Sequence, residues 1–254
     1  MSKFLLTAPV LAIAATATPA GAQDFNWTGF YVGANGAVVD ADAEWTGANI
    51  YQTVDGAEGS FTTALQTDPI DEKLGNTEFG GGGRLGFNWQ SGNFVLGAEA
   101  DATFFGFTET VTRTAPNATY TLRSHASDLE TVRARLGVAS GPALIFVTGG
   151  AAFSNFKHSL TATDVSEVVI DGGEGSQTIG TLTANLADSA KVDTGWTVGG
   201  GGEVQVTENV SVALTLLHID FGSDSLADSA PPSSISATVK STMFLGVLGV
   251  NLRF

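Results

Sequence analysis

Eight stretches of this chain alternate apolar and polar side chains with a period of two: residues 27–40, 78–90, 93–108, 128–139, 143–157, 193–206, 210–221 and 238–254. In 78–90 one face holds Phe79, Leu85, Phe87 and Trp89, and the other holds Glu78, Arg84 and Asn88. In 93–108, Phe94, Leu96, Ala98, Ala100 and Phe104 stand opposite Glu99, Asp101 and Thr103; in 128–139, Val132, Ala134, Leu136 and Val138 stand opposite Arg133 and Arg135. The last segment contains FLGVLGVNLRF, with Phe244, Leu248, Val250, Leu252 and Phe254 at one parity and Asn251 and Arg253 at the other. Successive side chains of a strand point to opposite faces, so this pattern demands sheet, with one face in an apolar environment.

The connections alternate short and long. Ser91-Gly92, Ser140-Gly141-Pro142 and Thr207-Glu208-Asn209 read as tight turns, whereas about 41–77, 109–127, 158–192 and 222–237 are longer polar stretches. That rhythm predicts an all-β fold: an eight-stranded antiparallel transmembrane β-barrel with short periplasmic turns and long extracellular loops. Segments of about 12 to 16 residues exceed the roughly 9 to 11 needed to cross a bilayer, so several are expected to project beyond it. The loop acids Asp42, Glu44, Asp55, Glu58, Asp68, Asp71, Glu72, Asp164, Glu167, Asp171 and Glu174 are then expected outside the cell.

A soluble sandwich or lipocalin-like barrel also alternates, but it would turn its apolar face inward and its charges to water. The charges favour the membrane reading. Arg84, Arg133 and Arg135 are matched by Glu99, Asp101 and Glu203, three of each sign, the balance needed by buried groups that can be neutralised only by one another. These six are expected to form an interior charge network. A membrane-facing girdle is expected from Trp27, Phe30, Phe79, Phe87, Trp89, Phe94, Phe104, Trp196, Phe244 and Phe254.

The first residues point to export. Lys3 precedes an apolar run over 4–17 and then Pro19-Ala20-Gly21-Ala22, which reads as a secretory signal peptide over 1–22 and a barrel domain over 23–254. The run is too short to cross a membrane as a helix. Its removal takes away one lysine and no acid, moving the formal charge from −15 to −16. With 11 Lys plus Arg against 26 Asp plus Glu, nucleic acid is excluded as a partner for want of a basic face. The chain has no cysteine, which removes disulfides, thiolate chemistry and Cys-based zinc sites together.

Residues 26–37 (NWTGFYVGANGA) and the terminal Phe254, together with Val147-Thr148-Gly149-Gly150-Ala151 and residues 199–203, resemble the alphaproteobacterial family of small outer-membrane barrels, the porin-like, immunogenic major surface proteins of the RopB type. The resemblance covers essentially all of residues 23–254. It implies the architecture of the OmpA membrane domain, residence in the cell outer membrane among lipid and lipopolysaccharide, and a Phe254 read by the barrel-insertion machinery. These are motifs of barrel architecture, and they carry no catalytic residues.

Other chemistries find little support. Residues 81–86 satisfy the G-x-G-x-x-G expression, but they lie inside a strand rather than between a strand and a helix, so no helix terminus meets a pyrophosphate. No pair among His125, His158 and His218 falls at metal-ligand spacing, and these histidines read as surface or interface groups, with haem or metal ligation the alternative. Ser124-His125 and His158-Ser159 are neighbours in sequence, and neighbours on a strand diverge, so neither forms a nucleophile and base. The expectation is a non-enzymatic barrel without catalytic, cofactor-binding or metal residues, needing no oligomer. Its expected role is in envelope integrity and surface display, with a plugged interior; a low-conductance channel or a haem-binding surface protein is the alternative.

Overall fold

The computed structural model describes residues 25–56, 59–64, 70–115, 118–163, 184–185, 191–230 and 233–254. The expected signal peptide, residues 1–22, lies outside them. So do Pro231-Pro232, Glu58, Asp68, Asp164, Glu167, Asp171 and Glu174, and the side chain of Asp55.

The strands are β1 (Gly29–Gly56), β2 (Gly59–Ala64), β3 (Ile70–Ser91), β4 (Phe94–Ala115), β5 (Ala118–Ser140), β6 (Ala143–Thr163), β7 (Ala184–Asn185), β8 (Lys191–Gln205), β9 (Val210–Ala230) and β10 (Ser233–Arg253). Eight of them, β1, β3, β4, β5, β6, β8, β9 and β10, pair antiparallel with their neighbours, and β10 closes the ring on β1 from Tyr31↔Arg253 to Gln52↔Ser233. The short β2 folds back on the tip of β1, and β7 pairs with β6. Closure leaves no sheet edge along the body of the barrel, as a lipid environment requires of backbone amides. Two of the tight turns place Gly92 and Gly141 at φ 59° and 57°, a region that glycine enters without steric cost.

The strands run far beyond the alternating segments. Most of 109–127 and 222–237, and much of 41–77, is strand rather than loop. The backbone ladder continues there while the apolar alternation stops, because outside the bilayer the outer face meets water. On β1 the outward residues Phe30, Val32, Ala34, Gly36 and Val38 give way to Asp40, Asp42 and Glu44. Phe30 to Val38 is eight rises, about 20 Å of height at a strand tilt of about 40°, comparable to the apolar band of a membrane barrel.

The outward surface of that band is made of exposed rings and aliphatic chains, among them Phe79 (81% exposed), Ile145, Trp196, Leu248 and Phe254 (73%). An apolar belt of this extent has no place on a water-soluble protein. Trp27 departs from the expected girdle: it is fully buried inside the ring, packed with Val95, Ala139, Leu144 and Phe146. Trp27 is three residues from Phe30, so along an extended chain it takes the opposite face, that of Tyr31.

Inside, the barrel is layered. Trp27 and Arg253 close the end with the short turns, and the charged residues lie above them. Over these sits an apolar plug in which Phe105, Phe107, Leu129, Phe156, Leu217 and Leu245 meet across the bore. Beyond the plug, where the outer wall is already polar, Trp45, Ser124, His158 and Ser241 are buried.

Candidate functional site: the charged interior

Each member of the interior cluster sits at an inward parity. Arg84 comes from β3, Glu99 and Asp101 from β4, Arg133 and Arg135 from β5, and Glu203 from β8. The ladder aligns them: Arg84 is opposite Asp101, and Glu99 is opposite both Gly86 and Arg133. Register alone therefore brings opposite charges into one layer.

Glu99 is the hub. Its Oε1 accepts from Arg133 Nη2 at 2.5 Å, while its Oε2 accepts from the Tyr31 hydroxyl at 2.7 Å and lies 3.7 Å from Arg135 Nη2 and 3.9 Å from Arg84 Nη1. Arg133 also pairs with Asp101, which accepts from Thr131 Oγ1 at 2.7 Å. Arg135 Nη1 donates to Glu203 Oε2 at 2.8 Å. The other oxygen of Glu203 accepts from Ser211 Oγ at 2.5 Å and Asn251 Nδ2 at 2.9 Å. These groups are almost entirely removed from solvent. Charges in such a place persist only when each carboxylate is both paired and hydrogen-bonded.

Room for these long side chains comes from glycine. A Cβ on Gly249 would lie 2.8 Å from the Arg84 guanidinium carbon, and one on Gly86 would meet the Tyr31 ring and hydroxyl and the Ala98 carbonyl. The glycine-rich stretch 81–86 thus sits inside β3, extended, and does structural work against the facing strands. The Arg135 guanidinium lies 3.8 Å from the Phe146 ring centre, and that of Arg253 lies 4.6 Å from Trp27.

The structure brings together all six residues of the expected network and adds others. Arg253 raises the interior to four guanidiniums against three carboxylates. Tyr31, Ser211 and Asn251 complete the carboxylate hydrogen bonds; each stands at the parity of the charges, the one signal in the sequence that marks them. Phe254 lies apart, exposed at the short-turn end, its backbone N–H donating to the carbonyl of Phe30 at 2.9 Å.

A second polar group occupies the wide-loop end. Trp45 Nε1 donates to Ser124 Oγ at 3.2 Å; Ser124 lies 3.0 Å from His158 Nδ1, and Ser241 Oγ lies 3.5 Å from His158 Nε2. Because an indole can only donate, Ser124 Oγ accepts from Trp45, while the tautomer of His158 sets which partner donates in the Ser124–His158 bond. Burial pushes this imidazole down to about 4, against the opposing pull of Asp224. His158 is therefore buried inside the barrel, where a surface or interface position is expected, because inward parity continues above the membrane. His125 and His218 do stand on the outer wall, the first beside Thr108 and the second beside Trp196. Among the described residues no group of three or more His, Cys, Asp or Glu could hold a metal.

The family model of the outer membrane protein beta-barrel domain matches residues 8–254, and the chain belongs to that family. The 31 kDa outer-membrane immunogenic protein of Brucella melitensis is 27% identical over 213 residues, covering 83% of this chain and 78% of that protein. The 22 kDa outer membrane protein of Rhizobium leguminosarum bv. viciae is 26% identical over 207 residues, covering 81% and 67%. Among solved structures, the outer membrane protein OprG of Pseudomonas aeruginosa aligns over 89% of this chain and 96% of its own, at 11% identity and a TM-score of 0.45.

Proposed function

We propose that this member of the outer membrane β-barrel family is a closed barrel whose work is structural: it stabilises the envelope and displays an acidic rim at the cell surface. The observation that carries the proposal is the stacking of two unlike obstructions in one bore. The ion-paired layer around Glu99 fills the lower half, and the layer from Phe105 to Leu245 fills the space above it. An eight-stranded barrel is only wide enough for its own side chains. A solute would have to break buried ion pairs and then cross an apolar layer that offers it no hydrogen bonds.

In this reading residues 1–22 are an export signal, the short turns face the periplasm and the long strand extensions face outward. Phe254, at the interface end of β10, serves the insertion machinery. Asp40, Asp42 and Glu44 on β1, with Asp71 and Glu72 on β3, contribute to a negative outer rim. The name of the Brucella relative, an immunogenic outer-membrane protein, supports surface display here. In this reading the barrel acts without catalysis and without a cofactor; Ser124 and His158, 3.0 Å apart, are both buried away from any solute.

Planar-bilayer recording of the refolded barrel tests this. The expected result is a quiet membrane at concentrations where a porin gives steps. Steady conductance that is lost on changing Arg84 or Arg133 would establish a channel instead.

A further inference from the structure

The exposed cations of this acidic chain are not distributed evenly. Lys73, Arg113 and Lys240 are each held by a carboxylate, Asp42 at 3.0 Å, Glu72 at 2.5 Å and Asp220 at 3.6 Å. Arg123 and Lys157 are exposed, and neither has a carboxylate within ion-pairing distance among the described residues. They occupy the same patch of outer wall. In the ladder Thr108, His125 and Lys157 form one row across β4, β5 and β6, and Thr110, Arg123 and Ser159 form the next row outward. Arg123 and Lys157 are therefore diagonal neighbours, within reach of a single ligand between them.

The patch is also shaped. Arg123, His125, Lys157, His158 and Ser159 line a groove of about 320 Å³. Just below it the strands break register, between Phe104 and Phe107 on β4 and between Ala126 and Glu130 on β5, and such breaks bend the strands. His125 Nδ1 is engaged by Thr108 Oγ1 at 2.8 Å, leaving its Nε2 for a ligand. Asp128 and Glu130 lie on the membrane side of the groove. Asp128 is committed to Asn155, accepting from its backbone N–H at 3.2 Å and its Nδ2 at 2.5 Å.

Height identifies the occupant. The outward face of β6 is apolar at Phe153 and polar from Asn155, so Lys157 stands four residues, about 10 Å of height, above the last lipid-facing ring. The headgroup zone is about 5 to 8 Å deep on each side of the hydrocarbon. Long cationic side chains bend toward such a zone with their stems on the apolar wall. A patch of Arg, Lys and His here matches a phosphate in charge and in donor geometry.

We infer that the groove between Arg123 and Lys157 is a docking site for the phosphorylated headgroup of an outer-leaflet glycolipid, the lipid A portion of lipopolysaccharide. The site is independent of whether the bore conducts. It gives a strongly negative protein an attractive contact with a negatively charged leaflet on the β4–β5–β6 side.

Native mass spectrometry of the detergent-solubilised barrel tests it, with bis-phosphorylated lipid A, enzymatically dephosphorylated lipid A and inorganic phosphate as probes. The native barrel should hold bis-phosphorylated lipid A at least tenfold more tightly than the dephosphorylated form. The R123S/K157S variant should lose that preference, the single R123Q variant should lose part of it, and K73S/R113S should keep it. Strand circular dichroism and heat-dependent gel mobility establish that each variant is folded. Equal affinity of the native barrel for both lipids, or an unchanged preference in folded R123S/K157S, overturns the site. Inorganic phosphate that displaces the lipid at equal concentration makes it a free-anion site and overturns the lipid assignment.

Discussion

The hydroxyl of Tyr31, on the first strand of the ring, donates to Oε2 of Glu99 at 2.7 Å, tying β1 to a carboxylate that three arginines already surround. Tyr31→Phe keeps the ring and removes one donor to a buried charge. The expected cost is about 1 to 3 kcal/mol, the range for depriving a buried acceptor of its partner. Urea unfolding in phospholipid vesicles, followed by gel mobility, should show a lower midpoint with an unchanged slope. An unaltered midpoint would mean that Arg133 and Arg135 satisfy Glu99 by themselves.

Arg135 bridges Glu99 on β4 and Glu203 on β8. Arg135→Met removes the charge and keeps most of the volume, leaving Glu203 buried with only Ser211 and Asn251 as partners. The expected loss is about 3 to 5 kcal/mol. Adding Glu203→Gln should return part of it, so that the double variant is more stable than the sum of the single effects allows. Strict additivity in the same unfolding assay would show that the two residues act independently.

The parts of this architecture that were legible in sequence are those where the two faces of a strand meet different environments. Phe94 against Glu99, and Leu136 against Arg135, alternate because lipid lies on one side and ion pairs on the other. Above the membrane the contrast fades: Thr112 faces Thr121 and Thr114 faces Thr119 across β4 and β5, and a ladder of that kind leaves no periodic signal. Alternation therefore marks only the membrane-embedded part of each strand, and the strands run on beyond it. Parity placed Tyr31 and Arg253 inside, yet neither is acidic or part of a balanced pair within its own segment. The contact of Ser124 with His158 depends on the β5–β6 register between residues far apart in the chain, whereas the sequence neighbours Ser124-His125 and His158-Ser159 diverge along their strands.

Two glycines of the same barrel should respond oppositely to a methyl group. Gly86→Ala places a Cβ against the Tyr31 ring and 2.7 Å from the Ala98 carbonyl oxygen, which is backbone and cannot give way easily. Gly36 faces outward, and a Cβ there meets nothing within 4 Å. Gly86→Ala should cost about 1 to 3 kcal/mol, as overpacking does, and Gly36→Ala should fall within about 0.5 kcal/mol of the parent. The comparison is internal to one assay, so a uniform effect at both sites would reject the packing argument.

His158 makes the barrel sensitive to acid at the end beyond the apolar plug. Its imidazole lies stacked on Phe156 at 5.6 Å and edge-on to Trp45 at 5.8 Å, with Ser124 and Ser241 at its two nitrogens. Burial lowers it from an ordinary value of 6.5 to about 4, with Asp224 the charge that resists the shift. Above pH 6.5 the imidazole is neutral whether the protein is folded or unfolded, and it contributes no pH dependence. As pH falls from 6.5 toward 4 the unfolded chain takes up the proton first, so stability is lost through that window and the loss levels off below it. The full difference amounts to about 3 kcal/mol. Carboxylates titrate in the lower part of the same range, so the informative quantity is the gap between native protein and His158→Gln. That gap should narrow on acidification, because the glutamine variant has no proton to refuse. Unfolding midpoints at pH 7.5, 5.5 and 4.5 measure it, and a gap that stays constant across the three would show that His158 is protonated as easily inside the barrel as in the open chain.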